Sequence, residues 1–150
     1  MAGSFACLRY HLVFSTKNRL PMLRADTRPR VFEYVGGILR SRKGQLLAAG
    51  GTDDHVHLLA ILPRDRSVSD ILRDIKSNSS AWLEETETSI RGFGWQDGYA
   101  AFTVGKGEVE PLIRYIATQE THHRTSRFED EFVALLEEHG VDYDPRYIWR

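Results

Sequence analysis

The sequence predicts an α+β domain built on an antiparallel sheet. Three observations carry this. The 150 residues suit one compact domain, 1–150, and not two. Strand-type and amphipathic helical segments follow one another in the order β-α-β-β-α-β-α-α. Two of the strands are separated only by Gly50-Gly51-Thr52-Asp53-Asp54, a turn-like stretch that makes them a hairpin.

The elements follow in order. Residues 8–16 are rich in β-branched and aromatic types and read as a strand. Lys17 to Arg24, which holds Pro21, is a loop. Residues 27–42 place Val31, Phe32, Val35, Ile38 and Leu39 at helical spacing, with Pro29 in the first turn and Gly44 beyond the end. Gln45–Ala49 and Val56–Leu62 are the hairpin strands. Ser67-Val68-Ser69-Asp70 has capping-box spacing, and Ile71, Leu72, Ile75, Trp82 and Leu83 continue a helix to about Glu85. Tyr99–Val104 is a short strand. Residues 108–122 form a third helix with Val109, Leu112, Ile113 and Ile116 inward. Ser126-Arg127-Phe128-Glu129 again has capping-box spacing and opens a last helix with Phe128, Phe132, Leu135 and Leu136 on one side. The first six elements make the split βαβ, ferredoxin-like arrangement, an antiparallel sheet with two helices on one face. The third and last helices are additions to it.

Composition excludes several classes. At 41% hydrophobic and 27% charged the chain is neither disordered nor fibrous. No apolar run approaches the roughly 20 residues of a membrane helix. The start lacks a secretory pattern, and the single Cys7 has no internal partner, so a cytoplasmic protein is expected, with Cys7 a small apolar residue. Net charge is −1, yet residues 1–50 carry nine Lys and Arg against Asp26 and Glu33. That third is therefore +7 and the remainder −8. A basic third suits a phosphate-facing surface, and equally a set of solvated helix faces.

Two groups of residues carry chemistry. In a strand, His55 and His57 project to one face while Val56 enters the other, and two co-directed imidazoles are half of a divalent-metal site. They read equally as surface histidines beside a turn. Asp53 and Asp54 offer oxygen ligands but fit ordinary turn chemistry. Tyr115, Gln119 and His122 share one stripe of the third helix. A tyrosine can serve as a nucleophile and a glutamine carbonyl suits a hard metal; a buried tyrosine with a surface glutamine is the plainer alternative.

Taken together, the two groups resemble the HUH nucleases with a single tyrosine. The chain is similar to the small transposases of the single-strand insertion-sequence family (TnpA-like) and to the REP-associated tyrosine transposases. Tyr10-His11-Leu12-Val13-Phe14-Ser15-Thr16-Lys17-Asn18-Arg19 resembles the first strand and basic loop. Asp54-His55-Val56-His57-Leu58-Leu59 resembles the histidine strand, and Ile75-Lys76-Ser77 the second helix. Trp95-Gln96-Asp97-Gly98-Tyr99 is similar to the final strand entry. Tyr115-Ile116-Ala117-Thr118-Gln119-Glu120 resembles the catalytic helix, and Phe128-Glu129-Asp130-Glu131-Phe132 the tail helix.

The resemblance implies that His55, His57 and Gln119 hold Mg2+ or Mn2+ and that Tyr115 is the nucleophile. It implies a substrate of single-stranded DNA with a hairpin, cut and rejoined through a 5′-phosphotyrosine. It also implies a homodimer whose histidines face the partner's tyrosine helix, although REP-associated relatives can be monomeric. Gly105 and Gly107 suit such an exchange, or simply a strand-to-helix turn. Lys17, Arg19 and Lys76 are expected to contact phosphates, with Arg124 a further option. His11 is expected to be structural, and His122 and His123 solvated or supporting. Trp82 reads as core, and Trp95 and Trp149 could stack bases. A domesticated hairpin-binding protein, a relaxase-like nickase and an unrelated metal-binding ferredoxin-like protein are the competing readings.

Overall fold

The computed structural model describes residues 3–87 and 92–149. Its elements are β1 (Leu8–Ser15), α1 (Arg28–Ser41), β2 (Gln45–Gly51), β3 (His55–Leu62), α2 (Val68–Thr86), β4 (Ala100–Thr103), α3 (Val109–Ala117), α4 (Gln119–His122) and α5 (Phe128–Glu138). The four strands form one sheet in the order β2-β3-β1-β4, with every neighbouring pair antiparallel. This is the ferredoxin-like order that the sequence predicts.

Strand alternation sorts the side chains onto two faces. Leu12, Phe14, Val56, Leu58, Ala60 and Leu62 face α1 and α2, where Val31, Val35, Leu39, Ile71, Leu72, Ile75 and Leu83 complete the main core. Each fully buried Leu or Ile contributes about 1.5–3 kcal/mol. Trp95 is buried here and donates to Ser79 Oγ at 2.9 Å, while Trp82 lies at the rim, stacked on Tyr34. The opposite face carries Val13, Ala100 and Phe102, which pack with Phe128, Phe132 and Leu136 of α5 and with Tyr143, Ile148 and Trp149. The added helices α3, α4 and α5 therefore cover the face that α1 and α2 leave bare. Cys7 is exposed and outside both cores.

Three expectations are corrected. Gly50 and Gly51 belong to β2, paired with His57 and Val56, and do not form the turn. The reason is a close approach: a Cβ on Gly50 would lie 2.3 Å from the Ile116 carbonyl oxygen, so α3 docks directly on the strand backbone. The third helix does not run through 108–122. It breaks at Thr118 (φ −102°, ψ 17°), whose hydroxyl is 3.1 Å from the Tyr115 carbonyl and 3.3 Å from that of Arg114, a local competition with the helical ladder. Of its predicted inward residues only Ile116 is fully buried; Val109, Leu112 and Ile113 are partly so. Ser126 does not cap α5: Arg127 is the N-cap, and the Ser126 carbonyl accepts from His123 Nδ1 at 2.7 Å instead. The other predicted cap holds, with Ser67 Oγ accepting from the Asp70 N–H at 3.1 Å.

A methyl group at Gly50 meets backbone that cannot rotate aside. Gly50→Ala is expected to destabilise the fold by about 1–3 kcal/mol by overpacking and to displace α3 with Tyr115. Urea unfolding checks the first effect, and faster amide hydrogen exchange across α3 checks the second.

Candidate active site

Four elements bring the site together on the α5 side of the sheet. β3 presents His55 and His57, both fully buried, with ring centroids 5.2 Å apart. α3 presents Tyr115, whose ring lies 5.7 Å from that of His57. The break at Thr118 turns Gln119 inward, and its Oε1 lies 2.9 Å from His55 Nε2. Arg28, itself buried, fixes this turn: it donates to the Leu23 carbonyl at 2.7 Å and to the Glu120 carboxylate at 2.6 Å. Phe128 of α5 stacks on the His55 ring at 4.1 Å.

The centre of the cluster is Glu131 of α5, 5% exposed. Its Oε1 lies 3.0 Å from His57 Nε2, 2.9 Å from His123 Nε2 and 3.5 Å from His55 Nε2. Its Oε2 accepts from Gln119 Nε2 at 3.0 Å and from the Tyr115 hydroxyl. Burial raises the Glu131 pKa, but bonds from His57, Tyr115 and Gln119 outweigh it and hold the carboxyl well below the usual range. Burial, and then the Glu131 carboxylate, push the Tyr115 phenol up, so it is protonated at rest. Burial lowers the His57 pKa against the opposing pull of Glu131.

A second layer orients the imidazoles. His55 Nδ1 lies 2.9 Å from both Asp54 Oδ1 and Thr52 Oγ1. Burial raises the Asp54 carboxyl, but His55 and Thr52 bring it below its ordinary value, so Asp54 is more than a turn residue. His57 Nδ1 meets His11 Nε2 at 2.8 Å, and burial, then His57, bring His11 to a pKa of about 3. His11 is thus structural as expected, and His123 is half-buried with its Nε2 2.9 Å from Glu131, while His122 stands more exposed, 3.7 Å from Glu131.

The donor set fits a divalent cation. His55 Nε2 stands 2.9 Å from Gln119 Oε1 and 3.5 Å from Glu131 Oε1, while Asp54 lies 2.9 Å behind its Nδ1. The Gln119 amide is fixed in that orientation by its bond to Glu131 Oε2. Imidazole nitrogen, amide oxygen and carboxylate oxygen converge, each backed by an outer partner, as in metal centres.

The predicted DNA contacts fare unequally. Lys17 is exposed on the turn after β1, next to Asn18 and Arg19, which adopt φ of 56° and 54°. Arg19 is partly engaged, its guanidinium 4.6 Å over the Trp149 ring and 3.9 Å from Glu129. Lys76 is engaged within the fold: its ammonium donates to the Gln96, Asp97 and Gly98 carbonyls at 2.9, 3.1 and 2.5 Å. Burial lowers its pKa to about 8, and its three protons clamp the loop before β4. Within the one chain described, Tyr115 lies beside the chain's own His57. A cleft of about 720 Å³ adjoins the site, lined among others by Arg28, Asp54, His123, Arg124 and Arg127.

A ferredoxin-like sheet with paired imidazoles facing a tyrosine-bearing helix defines the single-tyrosine transposases. A family model described as "Transposase IS200 like" matches residues 4–119, and the chain belongs to that family. The transposase for insertion sequence element IS200 of Salmonella typhimurium is 31% identical over 115 residues, covering 71% of this chain and 75% of that protein. Its counterpart in Salmonella typhi matches equally. Among solved structures, one described as a transposase from Deinococcus radiodurans R1 aligns with a TM-score of 0.59 at 24% identity, over 79% of this chain and 95% of that one. A REP-associated tyrosine transposase bound to a REP hairpin aligns with a TM-score of 0.60 at 16% identity, over 82% and 74%. The two structural likenesses speak for the fold. No helix among the described residues is long and apolar enough to cross a membrane.

Two outcomes follow from the electrostatics. Lys76→Met is expected to cost about 1–3 kcal/mol of stability by leaving carbonyls unpaired, with little change in the salt dependence of DNA binding; denaturation and a salt titration read the two effects separately. His11 is neutral in the fold down to about pH 3, whereas the unfolded chain protonates it near 6.5. Its contribution is therefore full above about pH 6.5 and is lost as pH falls toward 3. Urea midpoints across that window should vary less steeply in His11→Gln.

Proposed function

We propose that this chain cleaves and rejoins single-stranded DNA at hairpin-flanked ends, with Tyr115 as nucleophile. The observation that carries the reading is the meeting of Tyr115, Gln119, His55 and His57 around one carboxylate, in a chain of the IS200-like transposase family. The hairpin is supported by the REP-hairpin complex of one structural relative. The whole chain works as one domain, and a single copy carries the residues of one site.

The chemistry runs as follows. The Tyr115 phenolic oxygen, its proton given up, attacks the phosphorus in line. The bond from phosphorus to the 3′ oxygen breaks, and that oxygen leaves as a 3′-hydroxyl. The 5′ side stays on Tyr115 as a phosphotyrosine, which conserves the phosphodiester energy. A second 3′-hydroxyl then attacks the phosphotyrosine and releases the phenol, so strands are joined without ATP. His55, His57 and Gln119 would hold a divalent cation, Mg2+ or Mn2+, which when bound would supply charge neutralisation for the phosphate. Asp54 and His11 keep the two imidazoles aimed, and Gln119 is held by Glu131. Lys17 and Arg19, on the turn after β1, hold the DNA backbone, and Arg124 adds a cation on the wall of the adjoining cleft, whose lining mixes acidic and basic side chains.

Incubation with labelled single-stranded oligonucleotides from the gene's flanks and Mn2+ should yield a detergent-resistant protein–DNA band on a denaturing gel. The band should vanish in Tyr115→Phe and with chelator. Hairpin binding without any such band would instead establish a domesticated binding protein.

A further inference from the structure

Glu131 lies beyond the stretch matched by the family model, which ends at residue 119. It is nonetheless the most connected side chain of the site. Its helix brings it to the imidazoles because it stands on the apolar stripe, between Phe128 and Leu135. An anion placed there is desolvated, and only cationic or proton-donating partners offset that cost.

Both neighbouring rings are held from behind: His55 Nδ1 stands 2.9 Å from Asp54 Oδ1, and His123 Nδ1 2.7 Å from the Ser126 carbonyl. Their Nε2 atoms face Glu131 Oε1 at 3.5 and 2.9 Å, and His57 Nε2 lies 3.0 Å from it. Gln119 Oε1 stands 2.9 Å from His55 Nε2. His55, His57 and Glu131 each offer one ligand atom, all within 4.8 Å of one another, a spacing that one cation can bridge. The two carboxylate oxygens are already divided in role: Oε1 faces the imidazoles, and Oε2 faces Gln119 and the Tyr115 hydroxyl.

We propose that Glu131 is a further protein ligand of the divalent cation, through Oε1, and that cation binding thereby locks α5 onto the sheet. The proposal rests on the reading of His55, His57 and Gln119 as the cation site. A carboxylate adds a negative charge to an otherwise neutral ligand set, and it favours hard ions such as Mg2+ and Mn2+. Glu131 also connects cation and nucleophile in one residue, so it positions Tyr115 as well as the ion.

The test is Mn2+ binding by the DNA-free protein, followed by calorimetry and by the EPR signal of free Mn2+. Glu131→Gln keeps the size of the side chain and removes the charge. It is expected to weaken Mn2+ binding at least about tenfold, as loss of even an outer partner does in known metal centres. Glu131→Asp, which keeps the charge but withdraws the oxygens, should fall between. In wild type, Mn2+ should slow amide hydrogen exchange across residues 128–138, a readout that needs no variant. Wild-type or tighter binding by Glu131→Gln would overturn the proposal, as would unchanged exchange in α5 while β3 becomes protected. His55→Ala separates the two levels of the argument. If it binds Mn2+ as wild type does, the cation site itself is misplaced; if it abolishes binding while Glu131→Gln does not weaken it, only the role of Glu131 fails.

Discussion

The pleat of β1 and β3 is the constraint on which everything else depends. Successive side chains must point to opposite faces, so Val56 and Leu58 enter the main core only if His55 and His57 leave it. The same holds on β1, where Leu12 and Phe14 alternate with His11 and Val13. Slipping either strand by one residue would put imidazoles among the leucines of the core. The register is therefore fixed by hydrophobic burial, and the direction of the imidazoles comes with it.

A face so rich in polar side chains must be covered by elements that satisfy them. The C-terminal third does this. α5 covers the apolar part with Phe128, Phe132 and Leu136, and it sets Glu131 against the imidazoles. α3 and α4 bring the tyrosine and the glutamine to the same carboxylate. Among the described residues, no buried side-chain nitrogen or oxygen is left without a partner. The site is thus a second, polar core continuous with a small apolar one, and not a pit cut into the surface.

Much of this is legible in the sequence because it follows from periodicity. Strand order, both core faces and the common direction of His55 and His57 come from spacings of two and of three or four. What periodicity misses depends on contacts between distant segments. Lys76 looks like a solvated lysine, and only the carbonyls of residues 96–98, twenty positions away in the chain, reveal it as a clamp. Gly50 and Gly51 look like a turn because the helix that needs their bareness lies far along the chain. Thr118 breaks α3 by a local hydroxyl effect too small to see against the strong apolar stripe around it. Glu131 did leave a signal. An acid on the Phe128, Phe132, Leu135 stripe is out of place on an apolar face, and its position in an acidic first turn makes it pass for helix-end chemistry.

The contact between Gly50 and Ile116 has a further meaning. The tyrosine-bearing helix is seated on the strand through main chain against main chain, with the Ile116 carbonyl over a residue that has no side chain. Its height above the sheet is therefore set by atoms that every sequence shares. The surface of α3 is free to diverge, to suit new DNA ends or new partners, while the distance from tyrosine to histidines stays the same. In such a design the tolerance of α3 to mutation is held by one small residue on another element.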